Sequence, residues 1–70
     1  MKIVYDTEVD VLTIYLKDGD YAESNQISPY VIIDFDNEGA PLAIEILNAQ
    51  RLLQTDGTLK LELPLQTSTG

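Results

Sequence analysis

The feature that most constrains this chain is a strict apolar/polar alternation, repeated in short runs whose connections are too short to hold a helix. In "VLTIYLK" (11–17), Leu12, Ile14 and Leu16 alternate with Val11, Thr13, Tyr15 and Lys17. In "YVIIDFD" (30–36), Val31, Ile33 and Phe35 share one side, and Ile32, Asp34 and Asp36 the other. In "LAIEILN" (42–48), Leu42, Ile44 and Ile46 oppose Ala43, Glu45 and Leu47. A period of two is the signature of a half-buried strand. Strands with one wet face belong to an antiparallel sheet, because parallel strands need long crossovers. "KIVY" (2–5) and the more polar "YAESNQI" (21–27), an expected edge strand, complete the set. "DGD" (18–20), "SPY" (28–30) and "NEGAP" (37–41) are the breaks.

The period changes in "NAQRLLQ" (48–54). Asn48 can cap, the following residues are good helix formers and Gly57 can end the segment. The expectation is a two-turn helix laid on the sheet by Leu52 and Leu53. The fold class expected is therefore α+β: an antiparallel meander of four or five strands with one short C-terminal helix packed on it. Residues 1–56 form this domain. In 57–70, "TLKLELPL" alternates like a strand, Pro64 restricts it to an edge, and "QTSTG" is expected to be disordered.

A chain of 70 residues supports one core, worth roughly 3–5 kcal/mol net unless something assists it. Cysteine and histidine are both absent. That excludes disulfides, thiolate and imidazole metal sites and any histidine-based catalytic triad. Oligomerisation is the expected assistance, as a homodimer, with the leucine-alternating tail the candidate for a shared strand. Twelve acids against four bases give a net charge of −8. Such a surface disfavours nucleic acid and anionic membranes and favours a basic partner. Met1-Lys2 leads directly into strand-like residues, with no apolar leader and no membrane-length run. The expected location is the cytoplasm.

Two acidic groups are the candidate sites. "DFDNEGAPLAIE" (34–45) nearly fits a calcium loop, with Asp34, Asp36 and Glu45 at ligand positions. That motif needs flanking helices, and here both flanks are strands. The expected reading is a hairpin turning at Gly39, with Asp34 and Asp36 on one sheet face about 7 Å apart. A non-EF-hand cation site on Asp34, Asp36 and Glu45 is the alternative. The second group is Asp6, Glu8 and Asp10 in "DTEVD". These could hold a cation or act as acid and base. The plainer reading is a tight connection, in which Asp6 caps the turn with its side chain and Asp10 ends it. Tyr5, Tyr15, Tyr21, Tyr30 and Phe35 suit core or interface packing better than base stacking, given so few bases. No cofactor is implied and no catalytic residues are assigned; the expectation is a non-enzymatic protein.

Three stretches, "MKIVYDTEVDVLTIYL", "VIIDFDNEGAPLAIEIL" and "NAQRL", together resemble the prokaryotic domain-of-unknown-function family 2283 (DUF2283). The resemblance covers residues 1 to about 53 and rests on Tyr5, Asp6, Glu8, Asp10, Leu12, Ile14, Leu16, Asp34, Asp36, Gly39, Ile44, Glu45, Ile46 and Leu47. Thr7 stands where that family often has proline, and Ala43 where it often has glycine. The resemblance implies a compact antiparallel sheet with a helix and carries over no catalytic residue. It also implies an antitoxin-like role beside small basic proteins.

Overall fold

The computed structural model describes residues 1–52, 54–58 and 60. Five strands form: β1 (Lys2–Asp6), β2 (Val11–Tyr15), β3 (Tyr21–Ser28), β4 (Val31–Asp36) and β5 (Pro41–Leu47). They make one antiparallel sheet in the order β1-β2-β5-β4-β3. The polar β3 is an edge, as its composition suggests. The turn between β4 and β5 is the expected hairpin, with Gly39 at φ 81°, a backbone region that glycine enters without steric cost.

Two expectations are corrected. A meander would place β3 beside β2, but β5 occupies that position. β3, β4 and β5 follow one another by hairpins, and β2 returns to lie beside β5, which is a Greek key. The driving force is burial. β2, β5 and β4 carry the alternating apolar sets, and this order places them together at the centre. The cost is a connection from β2 to β3 that must cross three strand spacings, about 14 Å. Residues 16–20 make that crossing over the ends of β5 and β4. Leu16 N–H donates to Leu42 O (2.8 Å) and Lys17 N–H to the same oxygen (3.4 Å). Lys17 Nζ lies 3.4 Å from Asp36 Oδ2. Gly19 passes so close that a Cβ there would meet Leu42 Cδ2 at 2.7 Å, so the strap has room for glycine only, unless the Leu42 tip moves.

The second correction concerns the helix. Among the described residues the one helical segment is a four-residue 3₁₀ turn, Ala49–Leu52, so the fold is all-β and not α+β. Asn48 at φ 51° leaves helical space at the entry, and a segment this short cannot sustain an α-helical ladder alone. It is held from outside instead: Ala49 N–H donates to Asp10 O (3.1 Å) and Gln50 N–H to Asp10 Oδ1 (2.9 Å). Residues 54–58 then form a turn, with Gln54 N–H donating to Thr58 O (2.6 Å). The expected packing of Leu53, the tail strand over 58–65 apart from Thr58 and Lys60, and the disordered end 66–70 fall outside the described residues.

One face of the sheet carries the core. Leu12, Ile46 and Ala49 are buried together, with Ile14, Ile44 and Leu52 packed against them. The register puts Leu12 opposite Ile46 and Ile46 opposite Val31, and likewise Ile14, Ile44 and Ile33 in a row. The tyrosines are exposed and Phe35 is half-buried, so of the core or interface packing expected for the aromatics, none of the tyrosines takes the core alternative. Among the described residues no helix is long and apolar enough to cross a membrane.

Candidate binding groove

The face opposite the core carries the polar side chains of the alternation. Directly paired positions run across the whole sheet as Lys2, Tyr15, Ala43, Asp34 and Ser24. The next row is Val4, Thr13, Glu45, Ile32 and Gln26. Ala43 is the small member of the first row and is buried. Its short side chain leaves a depression of about 280 Å³ between its neighbours. Ala43, Tyr15, Tyr21 and the Asp34 carboxylate line it, and at one end it is bordered by Leu42 and the strap from Lys17 to Gly19. Tyr15 and Tyr21 are 46% and 61% exposed. Tyr15, Lys17 and Asp18 also border a neighbouring depression that reaches Met1 and Lys2, which makes Tyr15 the ridge between the two.

The polar groups of the groove are organised in a line. The Tyr21 hydroxyl lies 2.8 Å from Ser24 Oγ, and Ser24 Oγ donates to Asp34 Oδ1 at 2.6 Å. Ser24 thereby fixes the rotamer of the Asp34 carboxylate. Glu45 sits diagonally from Asp34 on the adjacent strand. Its pKa is raised, first by burial and then by the hydrogen bond and charge of Asp34. A cation bound here would relieve that repulsion. Lys2 Nζ lies over the Tyr15 ring, 6.0 Å from its centroid, at the outer limit of a cation–π contact.

The two acidic groups singled out in the sequence are dispersed. Asp34 and Glu45 do come together, but Asp36 is engaged elsewhere. Asp36 Oδ1 accepts from Glu38 N–H (2.9 Å) and Ala40 N–H (2.8 Å), and Lys17 holds its other oxygen. The Ala40 bond above all, with help from Glu38 and Lys17, lowers the Asp36 pKa against a smaller opposing effect of burial. In the first connection, Asp6 Oδ1 accepts from Glu8 N–H (3.0 Å), the expected turn cap. Glu8 is exposed on that turn. Asp10 turns away from both and joins Tyr5 and Gln50: Tyr5 Oη donates to Asp10 Oδ1 at 2.6 Å, and Gln50 N–H to the same atom. Among the described residues no three carboxylates converge as ligands for a metal ion. Arg51, at the end of the 3₁₀ turn, stacks on Tyr30 with its guanidinium 3.8 Å from the ring centroid.

Sequence reasoning missed Tyr15, Tyr21, Ser24 and Ala43 as site residues. The one available signal was Ala43, a small residue on the wet side of an otherwise bulky strand. Its meaning depends on which strands flank β5, and that is set by the Greek-key order.

Residues 2–50, most of the chain and all five strands, match the family described as protein of unknown function (DUF2283). The chain belongs to that family. A relative of this DUF2283 chain is an uncharacterized protein of Methanocaldococcus jannaschii, 41% identical over 56 residues. The match takes in 80% of this chain and 47% of the relative, so the chain spans about half the length of that protein. No solved structure matches. Every residue that lines the groove lies inside the DUF2283 match.

Proposed function

We propose that this DUF2283 protein is a non-enzymatic binding protein whose groove receives a lysine or arginine side chain of a small basic protein. The observation that carries the reading is the pair of exposed tyrosines flanking the Asp34 carboxylate above Ala43. A guanidinium or ammonium group between two tyrosine faces gains cation–π attraction. A carboxylate already oriented by Ser24 adds a charge-assisted hydrogen bond. The groove is shallow and open along the sheet, which suits a side chain presented on a folded surface. Asp18, Asp20, Asp36 and Glu38 lie on the strap and the β4–β5 turn at the same end of the sheet. With the net charge of −8, they would steer a basic partner toward the groove and raise its association rate. An antitoxin-like partner of a small basic protein would use this chemistry.

Calorimetric titration with an arginine-rich peptide tests the reading. Tyr15→Ala and Asp34→Asn should each weaken binding about tenfold, a loss of roughly 1.4 kcal/mol. Equal affinity for wild type and both variants would reduce the interaction to diffuse charge and remove the groove from the account.

A further inference from the structure

The two edges of the sheet are built differently. β3 is polar, and its pairing with β4 is interrupted by two register shifts, between Tyr21 and Glu23 and between Gln26 and Ser28. Bulges and polar residues of this kind protect an edge from pairing with another chain. Among the described residues nothing of this kind protects β1. It pairs with β2 in unbroken register over all five residues, every one of its residues is exposed, and Ile3, Val4 and Tyr5 are 60%, 39% and 45% exposed. Its outer row of backbone N–H and C=O groups pairs with no strand among the described residues, which leaves a template for another strand.

The sequence of β1, Lys2-Ile3-Val4-Tyr5-Asp6, is complementary to itself read backwards. Full antiparallel overlap of two copies has one register, with a two-fold axis at Val4. In that register Lys2 faces the partner's Asp6, and Asp6 the partner's Lys2. Ile3 faces the partner's Tyr5, and Val4 the partner's Val4. Opposed residues in a ladder share a face, so the Ile3 and Tyr5 contacts extend the apolar face of Leu12 and Ile14 across the junction. The ion pairs form on the groove face. A slip of two residues in either direction loses both ion pairs. This matters because each copy carries −8 and two such chains repel. Lys2 is one of only four bases in the sequence, and it stands where it meets an acid of the second copy. Among the described residues no carboxylate pairs with Lys2.

We propose that a second copy of this chain binds along β1, edge to edge about Val4, and joins the two sheets into one continuous ten-stranded sheet. This goes beyond the groove reading and does not depend on it.

The test is a charge swap read by sedimentation velocity from low micromolar to near-millimolar protein, with far-UV circular dichroism confirming the fold of each variant. Wild type should show a monomer–dimer equilibrium. Lys2→Asp and Asp6→Lys each set like charges opposite one another and should weaken the dimer at least tenfold. The double variant, K2D with D6K, restores two opposed ion pairs in reversed sense and should recover the wild-type dimer. Asp6→Lys also removes the Glu8 cap, but that loss is common to the single and the double, so recovery cannot come from it. A monomeric wild type across the range, single variants that dimerise as wild type does, or a folded double that stays monomeric would each overturn the proposal.

Discussion

Replacing Asp10 separates two contributions that one residue makes to the fold. Asp10 lies at the end of the first turn with φ 57°, and its Oδ1 accepts from Gln50 N–H at 2.9 Å. The side chain thus acts as a remote cap for the 3₁₀ turn. Loss of a cap costs about 1 kcal/mol. Alanine in the left-handed region costs about 1 kcal/mol more, whereas Asp, Asn and Gly visit that region readily. Asp10→Ala should therefore lose about 2 kcal/mol in all. Against a net stability of roughly 3–5 kcal/mol, that loss is large. Asp10→Gly relieves the backbone but not the cap and should lose about 1 kcal/mol. Asp10→Asn keeps both the backbone preference and an acceptor and should lose only a few tenths, on the order of 0.5 kcal/mol. Urea unfolding followed by circular dichroism gives the order Ala, Gly, Asn through the midpoints at constant slope. Equal losses for Ala and Gly would show that the positive φ stores nothing. A wild-type midpoint for Ala would refute the cap as well. The Tyr5 phenol gives an independent readout. Its pKa is raised, chiefly because it donates to Asp10. A raised folded value means a contribution present below the unfolded tyrosine value and lost as pH rises through the folded one. Spectroscopic titration of Asp10→Asn should move Tyr5 back toward its ordinary range.

Two further predictions follow from the core and the carboxylates. Ile46 is 0% exposed on the central strand, so Ile46→Ala should cost 2–5 kcal/mol, about the whole stability of the domain, and leave the chain largely unfolded at room temperature by circular dichroism. Ile46→Val should cost about 1 kcal/mol and stay folded. The pH dependence has two opposed parts. Asp36 has a lowered pKa, so its contribution is present above the ordinary Asp value and lost as pH falls through the folded one. Glu45 has a raised pKa, so its contribution is present below the ordinary Glu value and lost as pH rises through the folded one. Asp36→Asn should flatten the acid limb of a stability–pH profile, and Glu45→Gln should remove the decline above it.

The strands were readable because their pattern is local. Val31, Ile33 and Phe35, or Ile44 and Ile46, declare a buried face without reference to the rest of the chain, and Gly39 declares its turn. The polar run 21–27 declared an edge for the same reason. The strand order was not readable, because residues 16–20 are long enough either to turn a hairpin from β2 to β3 or, more extended, to strap across the ends of β5 and β4. The choice is made by which apolar faces meet. The helix failed for a related reason. Ala49–Leu52 has helical propensity, but Asn48 enters with a left-handed backbone and Asp10, about forty residues away in sequence, supplies the hydrogen bonds. The groove inherits both difficulties. Asp34 and Glu45 belong to one hairpin and were visible as candidates. Tyr15 and Tyr21 sit at the two ends of the strap and flank the groove only because the strap crosses the sheet.

The most direct test of the binding account is a titration of isotope-labelled protein with an arginine-rich peptide, followed through backbone amide shifts. The account predicts changes centred on Tyr15, Tyr21, Asp34 and Ala43, lost when Asp34 is replaced by asparagine. Shifts confined to Asp18, Asp20 and Glu38, or spread evenly over the acidic surface and unchanged in the Asp34 variant, would contradict it.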